Sequence, residues 1–133
     1  MGNSKPVIRD LYYTLNHEWI DFQGTVAYIG VCNFRLLGIK QIKRIVFSKK
    51  SGYKNQGEVM AIIHCKDCKV PVHMPVDGKI ISLNEGKPLI DQNILQMQPE
   101  NDGWLALIGL TKPYERKGLM QFEQYRLFTK RRS

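Results

Sequence analysis

Cysteine is scarce in this chain: three residues in 133, at Cys32, Cys65 and Cys68. So few cannot make the disulfide framework of a small secreted scaffold, and a reducing cytoplasmic setting is the expectation. Long hydrophobic runs are missing as well. None approaches the ~18 apolar residues of a membrane span, although 43% of the residues are hydrophobic. The opening MGNSKPVIRD has no apolar stretch of the kind that drives secretion, and Gly2 is not followed by Ser or Thr at the sixth position, which weakens a myristoylation reading. No Ser-His-Asp order, phosphate-binding glycine loop or dinucleotide fingerprint is present, so a non-enzymatic role is expected. Acidic residues are few, 12 against 20 Lys and Arg, for a net charge of +8. Lys40, Lys43, Arg44, Lys49, Lys50, Lys54 and the tail Lys130 to Arg132 supply much of the excess. Such charge suits an acidic partner, but a solvated basic face is the ordinary explanation. No zinc-finger, recognition-helix or aromatic-laced signature accompanies it.

What is present reads as short strands. GTVAYIGV (24–31), RIVFS (44–48), EVMAII (58–63), VPVHMPV (70–76), KIISL (79–83) and GWLALIGL (103–110) are apolar and rich in β-branched residues. Gly24, Ser51-Gly52, Asp77-Gly78, Asn84 to Gly86 and Asn101 to Gly103 punctuate them, a pattern that predicts a small β barrel or sandwich. Asp77-Gly78 marks a turn favourable to positive φ. Residues 33 to 44 predict a short amphipathic helical segment with Phe34, Leu37 and Ile42 inward. The tail predicts a helix over about 114–129. Leu119, Phe122, Tyr125 and Phe128 form its buried stripe, with Glu115 early and Lys130 to Arg132 late. No linker or repeat divides the chain, so one domain over 1–133 is expected, with a β core over about 11–112.

The order of the pieces carries a resemblance. YTLNHEWI (13–20), GTVAYIGVCNF (24–34), LLGIKQIKRIVF (36–47), GEVMAII (57–63), HMPVDGKIISLNEG (73–86), NDGWLALI (101–108) and GLMQFEQY (118–125) together resemble the glycine cleavage system H protein family. That family is a lipoyl carrier with a barrel-sandwich hybrid fold of the lipoyl and biotinyl type, short helices and a C-terminal helix. The resemblance implies the same mainly β fold here, with protein partners in a glycine cleavage or lipoate-related assembly. No membrane and no nucleic acid are expected, and a monomer is.

In the family the lipoyl lysine lies in E-S-V-K-A, at a hairpin tip. Aligned without gaps from Gly57 to Gly78, this chain has Asp67 at the lysine position and His64 at the glutamate position. Pro71 falls where the family has an aspartate. A carboxylate cannot form the lipoyl amide, so no cofactor is expected. Lys66 and Lys69 flank the position and are the alternative attachment points for lipoate. Glu18 matches a carboxylate lining the cleft where the family's loaded arm rests, or is a strand residue held by local hydrogen bonds. Trp19 and Trp104 are expected in the core.

The tip reads Cys65-Lys66-Asp67-Cys68. A C-x-x-C pair can be a dithiol redox centre, with lysines favouring thiolate. It can also be half of a zinc site completed by His64 or His73. Only one such pair exists, and adjacent His64 and Cys65 point to opposite faces of a strand, so no metal is expected. The ordinary reading is two free cysteines on an altered loop. The function expected is therefore a non-lipoylated, binding or carrier-like member of the family. The alternatives are a working carrier using Lys66, Lys69 or the Cys65/Cys68 dithiol, and a basic nucleic-acid-binding module.

Overall fold

The structure is a computed structural model describing residues 10–39, 41–48, 51–85, 103–111 and 118–132, of which 131 and 132 by backbone alone. Expectations placed on the first nine residues, Lys40, Lys49, Lys50, Gly86, Asn101, Asp102 and Glu115, and on the Arg131 and Arg132 side chains, lie outside the described residues.

Nine strands and two helices are described. In chain order they are β1 (Leu11–Tyr13), β2 (Glu18–Gln23), β3 (Val26–Val31), α1 (Asn33–Leu36), β4 (Ile42–Phe47), β5 (Gly52–Lys54), β6 (Val59–Cys65), β7 (Lys69–His73), β8 (Gly78–Leu83), β9 (Ala106–Gly109) and α2 (Phe122–Arg132). A six-stranded sheet runs β1-β2-β3-β9-β8-β5 and a three-stranded sheet runs β4-β6-β7. This is the mainly β, two-sheet architecture expected of a barrel-sandwich hybrid. Every described pairing is antiparallel.

The six β-branched runs each form a strand, because a pleated surface with one buried face suits such side chains. The β2–β3 hairpin pairs Gln23 with Val26. Gly24, at φ 68°, supplies the left-handed residue that a two-residue hairpin loop requires. The main core joins Ile20, Phe22 and Ile29 of the larger sheet to Ile45, Ile63 and Val72 of the smaller one. A second cluster of Tyr13, Trp19, Cys32 and Tyr125 lies on the opposite side of β2. Strand β2 is thus covered on both faces, Ile20 and Phe22 toward one cluster and Trp19 toward the other. Trp19 is in the core as expected, whereas Trp104 is only half-buried, its ring edge-on to Tyr28 at 5.2 Å.

Three local expectations are corrected. The helical segment over 33–44 stops at Leu36. Leu36 is buried, Leu37 is exposed, and Ile42 is buried as the first residue of β4. Gly38, at φ 80°, ends the helical path, and the β-branched residues Ile42, Ile45 and Val46 then favour strand. At Asp77-Gly78 neither residue has positive φ. Strands β7 and β8 belong to different sheets, so Met74 to Asp77 cross between layers and close no hairpin.

The tail helix begins at Phe122 and runs to Arg132, later than the expected 114–129, and Gly118 to Gln121 are not helical. Met120 instead bridges to Tyr13 through two backbone hydrogen bonds of 2.8 Å. Of the expected stripe, Tyr125 is buried, Phe128 half-buried, and Phe122 is 55% exposed. The reason is geometric: residues three apart on a helix are offset by about 60° around its axis, so a strict spacing of three walks off one face.

Candidate functional site

Strands β6 and β7 form a hairpin whose register pairs Ile63 with Val70 and His64 with Lys69. The next pair outward is Cys65 with Cys68, closed by a 2.9 Å bond from the Cys65 N–H to the Cys68 carbonyl. Lys66 and Asp67 are therefore the two-residue tip, and both are exposed. The Lys66 N–H donates to the Gln41 carbonyl at 2.8 Å, which anchors the tip to the segment leading into β4. Side chains alternate along the strands. Ala61, Ile63 and Cys65 on β6, with Val70 and Val72 on β7, face the core. Cys68 shares their face but lies at the end of the hairpin, where it is exposed.

None of Cys32, Cys65 and Cys68 is in a disulfide. Burial first, then the hydrogen-bonding and electrostatic influence of neighbouring Cys68, pushes the Cys65 thiol up to about 12. Cys65 is thus protonated at neutral pH and contacts the Ile63 carbonyl at 3.8 Å. A cleft of about 190 Å³ opens beside the pair, lined by Gly38, Ile39 and the four residues 65 to 68.

The outer face of the small sheet carries the opposite parity. Arg44, His64 and Lys69 sit side by side across β4, β6 and β7. Desolvation, followed by the positive charges of Arg44 and Lys69, lowers the His64 pKa below 6.5. His64 therefore lies on the face opposite the Cys65 thiol, and His73 is engaged elsewhere. Among the described residues no three of His, Cys, Asp and Glu gather as a metal site would require.

Glu18 is buried, and its carboxylate faces β7. Its Oε2 accepts from the His73 backbone N–H at 2.7 Å and lies 2.8 Å from His73 Nδ1. Oε1 accepts from the Thr14 hydroxyl at 3.2 Å. Burial, the largest influence, raises its pKa above 4.5 against the lowering effect of these bonds. Glu18 thus joins the two sheets. Pro71, on the outgoing strand, occupies an edge position where its missing N–H leaves no ladder bond unmade.

His17 carries a feature the sequence did not suggest. Its φ of 64° makes it the only described non-glycine residue in the left-handed region. Its ring lies 4.6 Å from Phe34 and 5.6 Å from Phe128, and Nδ1 is 2.9 Å from the Tyr125 hydroxyl. One imidazole thereby ties α1 and α2 to the turn before β2. The only local hint is the turn residue Asn16 beside it.

The match to known proteins covers nearly the whole chain. The family model described as glycine cleavage H-protein matches residues 11–132. A glycine cleavage system H protein of Thermoanaerobacter pseudethanolicus is 29% identical over 122 residues, 92% of this chain and 95% of the relative. One from Halothermothrix orenii is 30% identical over 119 residues, 90% and 92% respectively. The crystal structure of a glycine cleavage system H protein from Mycobacterium marinum superposes with a TM-score of 0.78 at 19% identity, covering 93% of this chain and 99% of that one. At that identity the superposition establishes the fold alone. A family match of this length, on a two-sheet fold with its hairpin at the Cys65–Cys68 pair, means that the chain belongs to the glycine cleavage H-protein family, which consists of carriers and not enzymes.

Proposed function

We propose that this chain acts as a binding or carrier-like protein within a glycine cleavage or lipoate-related assembly, without lipoate on its hairpin. The family carries lipoate covalently. The observation that supports the departure is the exposed tip Lys66-Asp67, in which the residue aligned with the family's lysine is a carboxylate. An aspartate offers no amine for the amide bond. Protein partners of that assembly and a cytoplasmic setting go with this reading.

One observation favours a second reading. Lys66 already stands at the tip, exposed, without any slip of register. An amine displaced by one residue is still a primary amine on a protruding turn. Lys69, by contrast, stands within β7, beside His64 on the outer face of the sheet.

The experiment is intact-mass measurement after co-expression with a lipoate ligase, followed by peptide mapping. The first reading expects no lipoyl increment on the wild type and some on Asp67→Lys, alone or with His64→Glu. An increment mapped to Lys66 in the wild type would replace the first reading with the second. Binding to RNA or heparin that survives moderate salt would favour the nucleic-acid alternative instead.

A further inference from the structure

The Cys65/Cys68 pair has no part in the proposed carrier role, and its geometry carries chemistry of its own. The two residues oppose each other at the closed end of an antiparallel hairpin. Hydrogen-bonded partners in such a ladder have Cα atoms about 5.5 Å apart. That lies inside the roughly 4.4–6.8 Å range a disulfide tolerates. Opposed side chains in a ladder project to the same face. The two thiols differ sharply in access: Cys65 is 7% exposed, whereas Cys68 is exposed and flanked by Lys69. The cleft of about 190 Å³ beside them is lined by Gly38, Ile39 and the hairpin end, both cysteines included. Its volume suits the end of a small thiol compound.

We propose that the hairpin is a thiol–disulfide exchange site for low-molecular-weight disulfides, with Cys68 as the attacking thiol and Cys65 as the resolving one. In the first step Cys68 gives its proton to solvent and its sulfur attacks one sulfur of the small disulfide. The disulfide bond breaks, a mixed disulfide forms on Cys68, and one thiol is released after taking up a proton. In the second step Cys65 loses its proton and attacks the Cys68 sulfur, expelling the second small thiol. In total the two cysteines lose two protons and two electrons, the small disulfide gains them as two thiols, and a Cys65–Cys68 disulfide remains. Burial assigns the roles. An outside disulfide reaches Cys68 and not Cys65, whereas Cys65 is placed to attack only a sulfur that has already docked in the cleft. A thiol held protonated, as Cys65 is, makes a poor first attacker; the part of that hold that comes from the Cys68 thiol is removed once Cys68 is in a mixed disulfide. The site stands independently of lipoylation, because neither Lys66 nor Asp67 takes part in either step.

The test uses the reduced full chain and oxidised glutathione, read by intact mass and by alkylation mapping of the residual thiols. The wild type is expected to lose two hydrogens and keep no glutathione, with Cys65 and Cys68 both blocked to alkylation. Cys65→Ala is expected to keep one glutathione on Cys68. Cys68→Ala is expected to leave Cys65 unmodified. Glutathione retained on wild-type Cys68 without loss of hydrogens would overturn the proposal, and so would modification of Cys65 in Cys68→Ala, or no reaction of the wild type. The wild-type measurement decides by itself if Cys65→Ala fails to fold. A positive lipoyl-mass result leaves this outcome unaffected, so the two readings fail separately.

Discussion

A carboxylate with 2% of its surface exposed must be compensated, and Glu18 is compensated by Thr14 and His73. Its raised pKa means that burial outweighs those bonds. Relative to the unfolded chain, folding therefore favours the protonated acid. Its stabilising share is full below the unfolded value of 4.5 and is lost as pH rises through the higher folded value. Glu18→Gln keeps a neutral acceptor in place at all pH. The stability of the wild type relative to this variant should thus fall as pH climbs from about 4 to about 7, as measured by urea unfolding. A flat difference would show that the carboxylate is compensated in its charged form. Glu18→Ala should cost about 1–3 kcal/mol for each buried donor it orphans at any of these pH values. Gly30 gives a steric prediction on the neighbouring strand. A Cβ there would sit 2.8 Å from three ring atoms of Trp19, which has no exposed surface and nowhere to move. Gly30→Ala should therefore lower stability by about 1–3 kcal/mol, as overpacking does, visible in thermal unfolding.

At the scale of elements, α2 is held by few side chains. Tyr125 stacks on Tyr13 with ring centroids 4.6 Å apart and planes within 10°. Tyr125→Ala should cost about 3–5 kcal/mol, the range for large buried aromatics. Phe122→Ala should stay within about 0.5 kcal/mol, as exposed substitutions do. The same unfolding experiment separates them, and equal losses would mean that Phe122 packs as deeply as Tyr125. This contrast shows what was legible in the sequence. The existence of the tail helix could be read from its pattern, but which residues face inward depended on where β1 lies. The β-branched runs placed six strands. Strand β1, with three residues, and β5, Gly52–Lys54, are too short for a periodic pattern. Strand β2 hides its period because both faces are covered, so Glu18 to Phe22 are all buried. The hairpin and its Asp67 could be read by alignment alone. That Cys65 faces inward follows from strand alternation, but the joining of Glu18 to His73, 55 residues apart, is a tertiary fact that no local rule contains. The same bond also shields an edge. Backbone groups on one side of a strand recur every second residue, so positions 71 and 73 of β7 face away from β6. One is a proline with no N–H, and the N–H of the other is taken by Glu18, so neither offers a donor to a foreign strand.

Over the whole molecule the excess of basic charge is the feature that salt can address. A net charge of +8 on 133 residues repels itself, and the Arg44–His64–Lys69 row concentrates part of it. Raising ionic strength from about 0.01 M to about 0.15 M shrinks the Debye length from about 30 Å to about 8 Å. The midpoint of thermal unfolding should rise over that interval. A fall would mean that attractive pairs dominate the surface. Topology has a different consequence. The third strand pairs with the second on one side and with the ninth on the other, Val26 meeting Gly109. During synthesis the β2–β3 hairpin leaves the ribosome early, yet the other neighbour of β3 is more than half the chain away. Until residues 106–109 emerge, β3 presents an unpaired edge, and the larger sheet cannot close. Long-range pairing of this kind makes folding slow relative to helical proteins of similar size. The last of the described strands to be made is thus the one that seals the larger sheet, and nascent chains stalled before it would be the form most in need of a chaperone.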